Sequence, residues 1–135
     1  MPRPVERAPV LIVEDDPDLR LALSRLLGDE GYEVVTAAEG QEALDRLRAP
    51  RRPGLVLLDL MMPNIDGFEF RVRQLEDPEL AAIPVIVLSG GGNLEEKAAP
   101  LGAAASLTKP LDFDELLECV AAAVSRAKER PAARS

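Results

Sequence analysis

Apolar and polar positions follow two different rhythms along this chain. Uninterrupted apolar runs occur in "VLIV" (10–13), "GLVLLDL" (54–60) and "IPVIVLS" (83–89). Runs of that length suit strands buried on both faces of a parallel sheet. "YEVVTA" (32–37) and "ASLTK" (105–109) add two more strands. Between them Leu19, Ala22, Leu23, Leu26 and Leu27 fall at i, i+3, i+4, i+7 and i+8, the period of a helix with one apolar face. Ala43, Leu44 and Leu47 repeat that period briefly, as do Phe68, Val72 and Leu75. The clearest stripe is Phe113, Leu116, Leu117, Val120 and Val124.

Helix-start signals agree with this division. Asp16 before Pro17 is a favoured N-cap and N1 pair. Asp66 with Glu69, Asn93 with Glu96, and Asp112 with Glu115 have capping-box-like spacing. The second of these opens a candidate fourth helix over 93–100. Five βα units in succession predict a doubly wound, flavodoxin-like α/β domain. Its five parallel strands take the order 2-1-3-4-5, with helices on both faces. In that order ligands sit at the carboxyl ends of strands 1 and 3, where the winding reverses. The domain is expected over 9–126, with flexible tails at 1–8 and 127–135 and no second domain.

Composition narrows the class. The chain has 135 residues, 47% hydrophobic and 30% charged, which suits one soluble domain. Aromatics are only 3%, so Leu, Val, Ile and Ala must build the core. A formal charge of −8 argues against nucleic-acid binding, which needs a basic face. Cys119 is the single cysteine and reads as a small buried helix residue, with no disulfide framework. The absence of histidine excludes imidazole catalysis. No apolar run approaches a membrane span, and "MPRPVERAP" lacks a signal-peptide core, so the expected location is cytoplasmic.

The first apolar run ends in Glu14, Asp15 and Asp16. Two carboxylates about 5 Å apart repel by roughly 3 kcal/mol at an effective dielectric near 20. Asp16 is accounted for as the cap; Glu14 and Asp15 are not. Asp59 interrupts strand 3 between Leu58 and Leu60, Ser89 ends strand 4, and Lys109-Pro110 ends strand 5. Singly these have plain readings: a solvated strand end, a turn former, a cap for the Gly-rich turn, a surface lysine. Strands 1, 3, 4 and 5 are consecutive neighbours in the expected order, however. One crevice then collects three carboxylates, a hydroxyl and an ammonium.

"VLIVEDDPDLR", "LVLLDLMMPNIDG", "VIVLSG" and "LTKP" resemble the four signature segments of response-regulator receiver domains, the chemotaxis-type phosphoacceptors of two-component signalling. The resemblance covers about 9–126. It implies that Asp59 is the phosphoacceptor, supplied by a sensor histidine kinase, a phosphotransfer protein or a small phosphodonor. It further implies Mg²⁺ ligation by Asp15 directly, Glu14 through water, Asp59, and the backbone carbonyl of Met61. Ser89 and Lys109 would contact phosphoryl oxygens, and the Lys109–Pro110 bond resembles one often cis in the family. Such a domain catalyses only its own phosphorylation and slow dephosphorylation, and otherwise signals by altered protein contacts. It works as a monomer or as a phosphorylation-dependent dimer, with an unknown downstream protein as its output. The physics agrees, because Mg²⁺ favours carboxylate, carbonyl and phosphate oxygens. Phosphoryl transfer is catalysed mainly by positioning and charge neutralisation.

The chain departs from the family in three places. Ser106 stands where receivers commonly carry Tyr or Phe, so the aromatic half of the usual switch is missing. Pro100 falls near the end of the candidate fourth helix, where it would kink or end it. "SGGGN" (89–93) makes the preceding loop pliable, which points to loop and helix ordering as the register of phosphorylation. Met61 and Gly91 beside the site hold no attacking water, which suggests a long-lived phosphoryl state. A degenerate receiver acting as a constitutive interaction module is the alternative. A Gly-rich phosphate cradle lacks its motif. A dehalogenase-type phosphatase needs an Asp where Met61 stands, and a Ca²⁺ loop after Asp16 lacks its terminal Glu.

Overall fold

The computed structural model describes residues 8–61, 66–90, 96 and 99–129. Along the chain lie β1 (Val10–Val13), α1 (Pro17–Asp29), β2 (Val34–Ala37), α2 (Gly40–Leu47) and β3 (Leu55–Asp59). There follow α3 (Gly67–Leu75), a single-turn α4 (Pro78–Ala81), β4 (Val85–Ser89), a 3₁₀ turn (Ala99–Leu101), β5 (Ala105–Thr108) and α5 (Phe113–Glu129). The five strands form one parallel sheet in the order β2-β1-β3-β4-β5. This is the doubly wound topology that the apolar runs imply.

The sheet separates two cores, and strand alternation assigns side chains to each. Leu11, Val13, Val56, Leu58, Val85 and Val87 face Ala43, Leu44 and Leu47 of α2 and Phe70 of α3. Val10, Ile12, Leu55, Leu57, Ile86 and Leu88 face Leu23 and Leu27 of α1 and Leu116, Val120 and Ala123 of α5. Every residue of β1, β3 and β4 is buried, which explains why their sequences run apolar until Asp59 and Ser89 close the last two. Full burial of each large aliphatic side chain contributes about 1.5–3 kcal/mol.

Helix starts follow the cap chemistry. Asp16 accepts from the amides of Asp18 and Leu19, with Pro17 at N1. Asp66 accepts from Glu69 N at 3.0 Å, and Asp112 from Asp114 N and Glu115 N. Asn93, its expected cap, and most of the candidate helix over 93–100 lie outside the described residues. Pro100 belongs to the 3₁₀ turn that leads toward β5. At the C-terminus α5 continues through Glu129, three residues into the expected tail. Residues 1–7 and 130–135 lie outside the described set.

One helix face differs from its apolar pattern. Val72 and Leu75, expected to pack inward, are 51% and 44% exposed. Instead α3 buries Phe70, Arg71 and Gln74. Arg71 Nε donates to Leu101 O at 2.9 Å, Nη2 to Gly102 O at 3.3 Å and Nη1 to Gln74 Oε1 at 2.7 Å. Gln74 Nε2 in turn donates to Leu80 O and Ile83 O at 2.9 and 3.0 Å. Burying a cation costs several kcal/mol, and each hydrogen bond from a charged donor returns about 1.5–3 kcal/mol. Backbone carbonyls of the neighbouring turns thus make a polar inner face tolerable. Burial pulls the Arg71 guanidinium below its ordinary range. Arg71 and Gln74 therefore take the helix's inward direction, and rotate Val72 and Leu75 outward.

Candidate metal and phosphoacceptor site

The carboxyl edge of the sheet carries the polar residues that end the strands. β1 runs straight into Glu14, whose side chain is buried, and into Asp15, which is exposed. The turn between them and α1 is held by its own polar groups. Glu14 Oε2 accepts from Asp16 N at 3.1 Å, and Arg20 Nη1 donates to Glu14 O at 2.8 Å and Asp15 O at 3.5 Å. Arg20 sits in the first turns of α1 and brings a cation behind the acid pair. Its role was not evident from sequence, because its partners are backbone oxygens; its place six residues after Glu14 is the only available signal.

Asp59 is the last residue of β3 and is almost fully buried. Its Oδ1 accepts from Met61 N at 3.1 Å. Lys109 follows β5, and its amide donates to Ser89 O at 2.9 Å, tying the ends of β4 and β5 together. The Lys109 ammonium lies 2.9 Å from Glu14 Oε1 and 3.5 Å from Asp59 Oδ1. The Lys109–Pro110 peptide is cis, as the resemblance implies. One carboxylate oxygen from each of Glu14, Asp15 and Asp59 lies within 4.8 Å of the other two. Strand register therefore brings together residues from different strand ends 44 to 95 positions apart in sequence, as the expected strand order requires.

Ser89 is completely buried at the end of β4, one position beyond Leu88, the register partner of Asp59. Met61 follows two residues after Asp59, with its side chain 62% exposed. Gly91 lies outside the described residues. Ser106 pairs with Val87 across β5 and β4, so the position where an aromatic is common carries a half-buried hydroxyl.

The charge balance is the chemical content of this arrangement. Three carboxylates share one ammonium, which leaves about two negative charges if all are ionised. Burial pushes the Asp59 carboxyl up to about 7; Glu14 adds to the rise, while the Met61 amide and Lys109 oppose it. For Lys109, burial pulls downward, but the hydrogen bond to Glu14 and the charges of Asp59 and Glu14 together hold it above its ordinary value. A hard divalent cation matches this donor set in charge and in ligand type. The repulsion built into Glu14–Asp15 thus has two available counterweights, the Lys109 ammonium and a metal ion.

A family model described as the response regulator receiver domain matches residues 10–121. The transcriptional regulatory protein PdtaR of Mycobacterium tuberculosis is 37% identical over 121 residues, covering 89% of this chain and 58% of that protein. The response regulator MprA of Mycobacterium bovis is 40% identical over 128 residues, covering 93% of this chain and 54% of that protein. The chain thus spans a little over half the length of these curated relatives. Among solved structures, a response regulator receiver protein from Pseudomonas putida superposes with a TM-score of 0.80 at 35% identity, covering 86% of this chain and 97% of that one. The chemotaxis response regulator CheY4 of Vibrio cholerae gives a TM-score of 0.79 at 33% identity, covering 87% and 98%. The strand order, the acid cluster beside a lysine and these matches lead to one assignment: the chain belongs to the response regulator receiver domain family.

Proposed function

We propose that Asp59 accepts a phosphoryl group from a sensor histidine kinase or phosphotransfer protein in a Mg²⁺-dependent reaction, and that the product alters protein contacts. The observation that carries this reading is the Asp59 carboxylate, 3.5 Å from Lys109 and clustered with Glu14 and Asp15. An Asp59 carboxylate oxygen attacks phosphorus, and the bond from phosphorus to the donor's nitrogen or oxygen breaks. The electron pair leaves with the donor, which takes up a proton from solvent. Lys109 neutralises charge on the phosphoryl oxygens, and Ser89 at the neighbouring strand end supplies a hydroxyl. Glu14, Asp15, Asp59 and the Met61 carbonyl would hold Mg²⁺, which supplies charge stabilisation and orientation of the phosphoryl oxygens. The chain then catalyses only its own phosphorylation and slow dephosphorylation.

The formal charge of −8 favours proteins over nucleic acid as partners of this stretch. Among the described residues no helix is long and apolar enough to cross a membrane. Ser106 favours a second reading, a constitutive interaction module that has lost its switch. Intact-mass measurement after incubation with acetyl phosphate and Mg²⁺ separates the two. The first reading expects the gain of one phosphoryl group in wild type and none in Asp59→Ala; the second expects none in either.

A further inference from the structure

Outside the acid cluster, the most unusual chemistry is the buried guanidinium of Arg71, which is 5% exposed. Among the described residues no carboxylate pairs with it. Its donors go instead to two consecutive carbonyls, Leu101 O and Gly102 O, and to Gln74. Leu101 already docks its own side chain in the core beside α3, so burial of this turn does not depend on a cation. A planar fork that grips two adjacent carbonyls adds direction, which an apolar side chain cannot.

The elements that Arg71 joins are the two that border Asp59 and Lys109. α3 begins against the end of β3: a Cβ on Gly67 would lie 2.6 Å from both Asp59 O and Leu60 Cα. Arg71 stands one helical turn further along. The carbonyls it holds lead through Ala104, whose amide donates to Val85 O at 2.8 Å, into β5 and on to Lys109. Among the described residues β5 is an edge strand with β4 as its one hydrogen-bonded neighbour, so the bonds from Arg71 support its lead-in from a second side. Glu14 and Asp15 follow β1, on the far side of β3, and the Arg71 hydrogen bonds reach neither.

We propose that Arg71 is a positioning residue which, by bracing the start of β5 on α3, sets where the Lys109 ammonium stands relative to Asp59. The proposal rests on Asp59 being the phosphoacceptor, and it assigns the buried α3 face a part in the transfer step. Gln74 completes the brace: its Oε1 accepts from Arg71 Nη1, and its Nε2 donates to the Leu80 and Ile83 carbonyls.

The test measures Asp59 phosphorylation by acetyl phosphate at saturating Mg²⁺ for Arg71→Met and Arg71→Lys, each with Lys109 present and as Lys109→Ala. Arg71→Met is expected to slow the reaction by about 5–20-fold while leaving Mg²⁺ affinity within about twofold, because misplacement of a catalytic group weakens transfer. Arg71→Lys recovers part of the rate. In the Lys109→Ala background Arg71→Met changes the rate by less than about twofold, since the brace then has nothing to aim. Equal slowing in both backgrounds, or a parallel loss of Mg²⁺ affinity, overturns the proposal. Amide exchange provides an arm independent of phosphorylation and is read in both variants, so that Arg71→Lys decides if Arg71→Met does not fold. The Ala104 and Lys109 amides should exchange at least about tenfold faster relative to the Glu14 amide, as expected for local rather than global opening. A uniform change at all three overturns it. A wild-type protein that takes up no phosphoryl group would refute the proposed function, while the exchange arm still decides whether Arg71 braces β5.

Discussion

Lys109 stands closer to Glu14 than to Asp59, at 2.9 against 3.5 Å. The ammonium therefore answers to the β1 acid as well as to the β3 acid. A divalent cation that draws on the same oxygens meets this charge as a competitor. Lys109→Ala should tighten Mg²⁺ binding by about 3–10-fold, from a unit charge removed at short range in partly screened surroundings. Calorimetric titration reads this directly, and unchanged or weaker affinity would count against competition.

Asp15 is the exposed member of the acid cluster, so its removal should test metal affinity without disturbing the core. Asp15→Ala is expected to weaken Mg²⁺ binding by about tenfold or more, the loss of one charged oxygen ligand. Its urea midpoint should stay close to that of wild type. Undiminished affinity in the titration removes Asp15 from the ligand set.

The Asp59 carboxyl, held up at about 7 by burial, makes stability depend on pH. An unfolded chain releases this proton near 3.9, so between about 4 and 7 the folded protein holds a proton that the unfolded one has lost. Stability therefore falls as pH rises through that window and stays lowered above it. Asp59→Asn abolishes this titration. Its advantage over wild type should grow by about 2 kcal/mol or more between pH 4.5 and pH 8, measured by urea unfolding in EDTA. An advantage that is the same at both pH values would disprove the assignment.

Gly67 opens α3 directly against the β3 end, where a Cβ would meet Asp59 O and Leu60 Cα at 2.6 Å. These are backbone atoms that cannot swing aside. Gly67→Ala should destabilise the protein by about 2 kcal/mol or more through overpacking, and should slow Asp59 phosphorylation by shifting the acceptor. Wild-type stability in a denaturation series would show that the contact relaxes freely.

Much of this is legible in the sequence. β1, β3 and β4 announce themselves because burial on both faces forces unbroken apolar runs, and Asp59 stands out because it interrupts one. Strand order then places Glu14, Asp15 and Lys109 on one rim. The inner face of α3 was not legible, for a physical reason. Its buried members, Arg71 and Gln74, are polar residues satisfied by carbonyls of Leu80, Ile83, Leu101 and Gly102, and backbone oxygens leave no mark in sequence. Of the apolar stripe Phe68, Val72 and Leu75, only Phe68 packs against the core, while Val72 and Leu75 turn outward. Arg20 carries almost no sequence signal for the same cause, since it holds the carbonyls of Glu14 and Asp15 rather than their side chains.

The alternation of β1 between two cores has a consequence for how this chain can change. Leu11 and Val13 point to one helical layer, Val10 and Ile12 to the other, and the next residue is Glu14. Deleting a single residue from this strand would exchange the occupants of both layers and withdraw the acids from the rim in the same stroke. Length is thus more tightly constrained here than identity: one aliphatic can replace another, but no gap or insertion can be absorbed.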